Sequence, residues 1–293
     1  HLHWITRYVR GDTVPTRAAY AVRLAIDLML VRMAGIPIVW TVHNLQAHDT
    51  PFPGIDRWVR RAVGRLVRAI IVHDPVTARK VVDAYRVSED AVHVIPHGSY
   101  RPLYHSASAS VKAKGNLVGA NYSGRLFLYL GTIRPYKGVE DLLEAWAVHS
   151  DSHPDDHLLI AGKALDQEYG ERVKHLVNQT TSVTLHKGFV DEKDIATYYS
   201  AADVAVFPFR RITTSGSLIL AMSFNMPIIA PHAPGLDFVI GSADDLFFEL
   251  DATDRKGELS NALHQASSVD LSAIREKTRS ACDALDWKAI AQQ

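Results

Sequence analysis

The chain has 293 residues, 47% of them hydrophobic and 22% charged, so it is long enough for two domains with buried cores. Lysine plus arginine and aspartate plus glutamate number 32 each, and this balance excludes the strong basic excess typical of a nucleic-acid-binding protein. The single cysteine, Cys282, excludes an internal disulfide and fits a reducing, cytoplasmic compartment.

Short runs rich in valine and isoleucine alternate with segments of helical period. Strands are predicted at Pro37–His43, Ala69–Asp74, Ala91–Pro96, Leu126–Leu130, His157–Ala161, Val183–His186, Val204–Pro208 and Pro227–Ala230. Helices are predicted at Arg17–Ala34, Ile55–Ala69, Pro75–Tyr85, Val139–His149, Asp194–Ala202 and Ser217–Phe224. This alternation is typical of an α/β protein whose parallel sheets are covered by helices on both faces.

The stretch His105–Gly124 interrupts the pattern with small and polar residues and has no clear period. We therefore expect two doubly wound, Rossmann-like domains, over residues 1–110 and 111–293. The opening HLHW lacks an initiator Met and resembles the end of a strand, so we expect the N-terminal domain to be incomplete.

The segment Ile55–Ile70 carries arginines at helical spacing, and its apolar residues lie largely elsewhere around the helix. These arginines are Arg57, Arg61, Arg65 and Arg68. A basic amphipathic helix of this kind can lie on an anionic membrane surface. The alternative is a solvated face of a helix whose other side packs on the sheet.

The sequence GTIRPYKG, residues 131–138, follows a buried strand and places Arg134 and Lys137 on one short loop. Ligands of doubly wound sheets bind outside the carboxyl ends of the strands. The two cations are therefore predicted to bind an anion, and the alternative is a solvated loop with incidental charges.

A second polar loop follows the strand Val204–Pro208 and leads into a helix. It supplies hydroxyls and backbone N–H groups at the start of that helix, a position suited to anions. The residues are Thr213, Thr214, Ser215, Gly216 and Ser217. An ordinary helix cap is the alternative, but two such loops in one domain favour a diphosphate ligand.

Three absences from the sequence narrow the class of diphosphate compound. No Gly-x-Gly pair occurs, which disfavours a nicotinamide-dependent oxidoreductase. The segment Gly119–Arg125 lacks the Gly-Lys-Ser/Thr of a P-loop, which disfavours an ATPase. No Asp-x-Asp pair occurs, and His93 and His97 lie in an extended stretch rather than on one helix face. We expect neither a metal nor another cofactor.

The ordered motifs TVHN, VIPHG, YLGTIRPYKGVEDLLEAW, LLIAGK, VTLHKGFVDEKDIATYYSAADVAVFPF and SGSLILAMSFNMPIIAP resemble those of the nucleotide-sugar glycosyltransferases of GT-B fold, specifically family 4. The resemblance runs from about Pro37 to the end. It implies two Rossmann-like domains facing across a cleft, an N-terminal acceptor-side domain and a C-terminal domain that binds the sugar nucleotide. Arg134 and Lys137 would stabilise the leaving diphosphate without a metal.

This sequence departs from the family pattern at two places. Thr132 occupies the position at which the family has an arginine, and Arg134 follows two residues later. Ile212 and Leu220 occupy the positions of two glutamates that contact the donor sugar and the ribose. Those contacts must be lost or transferred, for example to the hydroxyls of residues 213–217, and the stereochemical outcome stays open.

The resemblance also implies roles for single residues. His43 in TVHN corresponds to a histidine that hydrogen-bonds the donor sugar, although a histidine at a strand end can instead bond to backbone. The backbone of Val190 and the carboxylate of Glu192 correspond to positions that contact the nucleobase. Asp49 is the candidate acceptor-side base, with a plain loop acid as the alternative.

The predicted function is transfer of a hexose from a nucleotide diphosphate sugar to a glycan or lipid-linked acceptor. GDP-mannose is the first expectation for the donor and a UDP-sugar the second. We expect a cytoplasmic protein, peripheral at the inner face of the membrane. A noncatalytic nucleotide-sugar-binding protein is the main alternative because both glutamates are missing, and a Rossmann oxidoreductase is a distant third.

Overall fold

The computed structural model describes residues 1–45, 52–104, 117–119 and 124–292. These residues form two compact units, His1–His97 and Gly98–Gln292, called unit 1 and unit 2 below. Each unit contains a parallel sheet whose strands are connected by helices. The α/β fold class with two parallel sheets is therefore confirmed.

Unit 1 contains a three-stranded sheet in the order β1-β2-β3. Its strands are β1 (Val39–Thr41), β2 (Ala69–Val72) and β3 (Val92–Val94), and its helices are α1 (Val14–Met33), α2 (Pro53–Leu66) and α3 (Pro75–Tyr85). Leu2 forms an isolated parallel bridge to Trp40, which brings the N-terminal residues alongside β1. The carboxyl ends of all these parallel segments lie at one edge of the sheet.

The sheet of unit 1 is held by apolar packing against its helices. Trp40 and Ile70 are at most 1% exposed, and Val59 and Val63 place one face of α2 in the same core. The spacing of four residues between those valines puts both on one side of the helix. This packing fixes the strand ends that carry polar side chains.

Unit 2 contains a six-stranded parallel sheet in the order β6-β5-β4-β7-β8-β9. Its strands are β4 (Leu126–Leu130), β5 (His157–Gly162), β6 (Val183–Lys187), β7 (Val204–Val206), β8 (Ile228–Pro231) and β9 (Phe247–Phe248). Its helices are α4 (Val139–Ser152), α5 (Gln167–Gln179), α6 (Glu192–Ala201), α7 (Gly216–Ser223), α8 (Pro234–Ile240), α9 (Arg255–Ser268), α10 (Leu271–Asp283) and α11 (Trp287–Ile290). The strand order reverses between β4 and β7, and such a switch point is where doubly wound sheets bind ligands.

The central strand β4 shows why this sheet is covered on both faces. Leu126, Leu128 and Leu130 belong to one hydrophobic cluster, whereas Phe127 and Tyr129 belong to a second. Successive side chains of a strand point to opposite faces, so the two clusters lie on either side of the sheet. A continuous apolar run is the pattern expected of such a strand.

Some predicted elements have the same boundaries in the structure, and others are shorter or were not predicted. Leu126–Leu130 and Pro75–Tyr85 match to the residue, whereas the strand predicted over Pro37–His43 is limited to Val39–Thr41. The short strand β9 was not predicted, because two residues carry too little periodicity to be recognised.

Candidate functional site

Two loops meet at the switch point of unit 2. The backbone N–H of Arg210, after β7, donates to the carbonyl oxygen of Tyr136, after β4, at 2.9 Å. A side chain added at Gly131 would place its first carbon 3.9 Å from the hydroxyl oxygen of Ser217, at the start of α7. The loop after β4, the loop after β7 and the beginning of α7 are therefore adjacent.

Gly138 explains how closely these loops approach. Its φ is 73°, in the left-handed region that glycine adopts without strain. A Cβ at this position would overlap the carbonyl oxygen of Pro208 in the loop after β7. The glycine thus lets α4 begin against the second loop, and it brings Lys137 to the switch point.

Lys137 is a largely buried cation. Its Nζ lies 4.2 Å from the ring centroid of Phe209 and 5.4 Å from that of Tyr136. Burial, followed by the charge of Arg134, lowers the pKa of Lys137 to about 8. No carboxylate of the described residues forms an ion pair with Lys137, so an anion is the partner that would stabilise its charge.

Arg134 lies three residues before Lys137 and precedes the short 3-10 helix Pro135–Lys137. Its side chain is partly exposed. Because its charge acts on the pKa of Lys137, the two cations belong to one electrostatic site. The structure thus brings together the two cations that the sequence predicts for the diphosphate.

The predicted hydroxyl loop divides into a cap and accessible groups. Ser215 is buried, and its Oγ accepts a hydrogen bond from the backbone N–H of Leu218 at 3.2 Å, so it caps α7. Thr214 and Ser217 are partly exposed and Gly216 is exposed. The positive end of the helix and these groups are adjacent to the loop of Lys137.

A network around Asp141 holds the loop after β7 in place, and no local sequence pattern indicated this network. The carboxylate of Asp141 accepts two hydrogen bonds from Arg210, at 2.8 and 2.6 Å, and one from Arg255 at 3.0 Å. Arg255 also donates to the carbonyl oxygens of Pro208 and Phe209. Burial alone would raise the pKa of Asp141, but the hydrogen bonds from both arginines outweigh it and lower that pKa. Both arginines are therefore paired with a buried carboxylate.

The predicted nucleobase residues lie after β6. Val190 is partly buried and packs against the core of unit 2, whereas Glu192 is exposed in the first turn of α6. Burial raises the pKa of Tyr104, and the charge of Glu192 raises it further, so that carboxylate lies near Tyr104. Both residues follow the carboxyl end of a strand of the same sheet as Lys137.

His43 lies in unit 1, two residues after β1, and is partly buried. Its Nε2 is 3.1 Å from Nδ1 of His3. Burial, followed by the charges of His73, His3 and His97, lowers the pKa of His43 to about 4. The sequence predicted a role for His43 only: His97 was considered as a metal ligand and rejected, and no role was predicted for His3 or His73. Asp49 lies outside the described residues.

The basic segment predicted over Ile55–Ile70 needs a correction. Helix α2 ends at Leu66, because the following residues become extended and enter β2, where Ile70 is fully buried. Arg61 is partly buried and donates to the carbonyl oxygen of Ala84, whereas Arg57 and Arg65 are exposed. The helical basic surface is therefore shorter than predicted.

Two family profiles match the sequence. "Glycosyltransferase Family 4" matches residues 11–99, and "Glycosyl transferases group 1" matches residues 124–267. The chain belongs to the family 4-like glycosyltransferases. The family that the motifs suggested is thereby confirmed.

Two curated relatives illustrate the similarity. The GDP-mannose:glycolipid 4-beta-D-mannosyltransferase of Xanthomonas campestris pv. campestris is 30% identical over 234 residues, which cover 79% of this chain and 60% of the relative. The mannosylfructose-phosphate synthase of Agrobacterium fabrum is 22% identical over 178 residues, covering 57% of this chain and 38% of the relative. The chain thus spans 60% or less of the length of these two relatives.

Solved glycosyltransferase structures share the fold. HepE of Anabaena, in complex with UDP and glucose, superposes with a TM-score of 0.73 at 18% identity, over 93% of this chain and 74% of HepE. WaaG, a glycosyltransferase involved in lipopolysaccharide biosynthesis, gives 0.74 at 16% identity, over 97% of this chain and 84% of WaaG. These likenesses confirm the GT-B fold.

Proposed function

We propose that this protein transfers a hexose from a nucleotide diphosphate sugar to a glycan or lipid-linked acceptor. The observation that carries the proposal is the position of Lys137 at the switch point of unit 2. Lys137 is a largely buried cation, and no carboxylate of the described residues forms an ion pair with it. Arg134 and the start of α7 lie at the same site. Together they suit a diphosphate.

The proposed chemistry places negative charge on the diphosphate as its bond to the sugar breaks. Lys137, Arg134 and the N–H groups at the start of α7 stabilise that charge, which lowers the barrier to departure of the leaving group. Thr214 and Ser217 supply further donors. In this proposal the protein cations take the place of a divalent ion, so transfer should persist in EDTA.

GDP-mannose is the proposed donor, and a UDP-sugar is the second candidate. The Xanthomonas relative is named for GDP-mannose and a glycolipid acceptor, whereas HepE was crystallised with UDP and glucose. Glu192 supports GDP, because an exposed carboxylate can accept hydrogen bonds from guanine N1–H and N2–H. The relative's name also specifies a beta product, which from an α-linked sugar nucleotide requires inversion at the anomeric carbon.

A noncatalytic nucleotide-sugar-binding protein is the second candidate function. Ile212 and Leu220, at the positions of the family's two glutamates, are partly buried and pack against the hydrophobic core of unit 2. Neither side chain can form a hydrogen bond with a sugar hydroxyl. Tight nucleotide binding without turnover of any acceptor would support this alternative.

The first test is calorimetric titration of the protein with GDP, UDP, ADP and NAD in EDTA. We expect binding of GDP or UDP and none of NAD, and the preferred base selects the sugar nucleotide for transfer assays. Transfer from that donor to a lipid-linked or free glycan acceptor, followed by mass spectrometry of the product, then separates the enzyme from the noncatalytic binder. Failure of all four nucleotides to bind would contradict the proposal.

The proposed location is the cytoplasmic face of a membrane. Across the described ranges, no helix combines the length and the hydropathy of a membrane span. The proposed contact uses the exposed Arg57, Trp58 and Arg65 of α2. Co-sedimentation with vesicles containing 30% anionic lipid, compared with neutral vesicles, tests it, and equal binding to both would argue against an electrostatic contact.

A further inference from the structure

A histidine follows each strand of the unit 1 sheet. His43 comes two residues after β1, His73 directly after β2 and His97 three residues after β3. The ring centroids of His43 and His73 are 5.4 Å apart, and those of His73 and His97 are 5.6 Å apart. These three residues, called the histidine row, line the carboxyl edge of the sheet with His73 at the centre.

The N-terminal segment covers one end of the row. Nδ1 of His3 lies 3.1 Å from Nε2 of His43, and the indole of Trp4 stacks on the His43 ring at a centroid distance of 4.7 Å. His43 therefore already has a hydrogen-bonding partner. Among the described residues, the histidines do not form a group that could hold a metal ion.

The tautomer of His73 follows from its hydrogen bond. Nδ1 lies 2.9 Å from the carbonyl oxygen of Ile95, and because a carbonyl only accepts, Nδ1 carries the proton and donates. The lone pair of the neutral ring is then on Nε2. That atom is buried and has no hydrogen-bond partner among the described residues. His73 as a whole is 8% exposed.

An acceptor atom that is buried without a hydrogen-bond partner destabilises the protein, and a bound hydroxyl donor would relieve this. The loop side of a parallel sheet is the edge where such ligands bind. The orphaned Nε2 therefore indicates a ligand that offers an O–H group at this edge.

The surroundings of His73 keep it neutral. Burial lowers its pKa most; the hydrogen bond to Ile95 and the charge of Asp74 act against this, whereas the charges of His97 and His3 lower the pKa further. The carboxylate of Asp74 accepts hydrogen bonds from the backbone N–H and the hydroxyl of Thr77 in α3, at 2.7 and 2.5 Å. A neutral imidazole with an available lone pair is suited to accept a proton.

We propose that His73 is the general base that deprotonates the acceptor hydroxyl in the transfer reaction. This inference rests on the proposed function. The acceptor oxygen bonds to the anomeric carbon, its proton passes to Nε2 of His73, and the bond from that carbon to the diphosphate breaks with its electron pair on the leaving oxygen. The direct displacement inverts the anomeric configuration.

The sharpest variant is His73→Asn, because the asparagine amide can still donate to Ile95 from near the Nδ1 position but has no base at the Nε2 position. The matched control is His93→Asn, since His93 is exposed on β3 and lies outside the row. Asp49→Asn is a second arm, because Asp49 is the competing candidate base.

We expect His73→Asn to lower kcat by about a hundredfold or more, the range of general-base catalysis, while nucleotide affinity stays within twofold. The wild-type kcat should fall as pH drops through the pKa of His73, and the variant should lose this acid limb. Any of three results would overturn the inference: a wild-type kcat in His73→Asn, a hundredfold loss of kcat in Asp49→Asn alone, or a product that retains the donor configuration. All three would leave the proposed function intact. A wild-type protein that binds no nucleotide would instead overturn the proposed function.

Nitrogen-15 spectra of labelled histidines test the site without turnover. The His73 signals are those missing from His73→Asn. We expect the proton on Nδ1, a pKa below the ordinary value of 6.5, and a shift of the Nε2 resonance when a glycan acceptor is added. A proton on Nε2, or a pKa above 6.5, would overturn the proposal whatever the activity assay shows.

Discussion

The ammonium of Lys137 lies 4.2 Å from the centroid of the Phe209 ring, so a residue after β7 supports a cation from the loop after β4. A cation over an aromatic face gains roughly 0.5–2 kcal/mol, which compensates only part of the cost of burying a charge. The arrangement therefore holds Lys137 in place and leaves its charge to be neutralised by a bound anion.

Removal of this charge should weaken nucleotide binding. We expect Lys137→Ala to reduce affinity for GDP or UDP by more than tenfold, which corresponds to about 1.4 kcal/mol. Calorimetry at pH 7 measures the change, and Lys174→Ala is the control because Lys174 is exposed on α5. An affinity in Lys137→Ala equal to that of the control would remove the diphosphate assignment.

Nucleotide binding should also depend on pH. Burial and Arg134 place the pKa of Lys137 at about 8 in the free protein, and a bound diphosphate raises it by favouring the ammonium. Affinity should therefore be flat below pH 8 and fall by up to about tenfold per pH unit above it, with uptake of close to one proton on binding.

Calorimetry at pH 9 in two buffers of different ionisation enthalpy measures this proton uptake. Lys137→Arg is the control, because its guanidinium stays charged over the whole range and should take up no proton. Equal proton uptake by the wild type and Lys137→Arg would show that another group is responsible.

The position of the diphosphate loops was predictable because it depends on local patterns. A buried strand followed by a glycine, two cations and a helix is visible in residues 126–139, and the carboxyl end of a parallel strand is the ligand-binding edge. That β7 lies beside β4 is a property of the strand order, which no single segment encodes. The sequence predicted both loops, and the structure shows that they are adjacent.

Which arginines neutralise buried acids was not predictable from local patterns. Asp141 is 69 residues from Arg210 and 114 residues from Arg255 along the chain. The histidine row has the same character, since its members follow three different strands. The parallel register places them together, and no sequence spacing marks them as a cluster.

The Asp141 network should contribute to stability. The Asp141 side chain is 10% exposed and that of Arg255 is 17% exposed, so removal of the carboxylate leaves a largely buried guanidinium without its counter-charge. We expect Asp141→Asn to lower the free energy of unfolding by about 3 kcal/mol. Urea denaturation measures this, with Asp151→Asn as the control because Asp151 is exposed on the same helix. Equal midpoints for the two variants would contradict a stabilising role.

A second buried carboxylate, at the opposite end of the unit 2 strands, should make stability sensitive to acid. Oδ2 of Asp156 accepts from the hydroxyl of Ser267 at 2.5 Å and lies 3.1 Å from Nε2 of His149, while Oδ1 accepts from the backbone N–H of Arg125 at 2.8 Å. Burial would raise the pKa of Asp156, but the hydrogen bonds from His149, Ser267 and Arg125 outweigh it and lower the pKa to about 2.

Because the folded pKa of Asp156 is below the ordinary 3.8, its stabilising contribution is complete above that value and is lost as pH falls toward 2. We expect Asp156→Asn to lower the free energy of unfolding by about 2 kcal/mol at pH 7, and to lose this part of the pH dependence between 4 and 2. Urea denaturation across that pH range tests both expectations. The matched control is Asp155→Asn, because Asp155 is an exposed neighbour, and this variant should retain the wild-type dependence of stability on pH. If Asp156→Asn also retained the wild-type dependence, other carboxylates would be its cause.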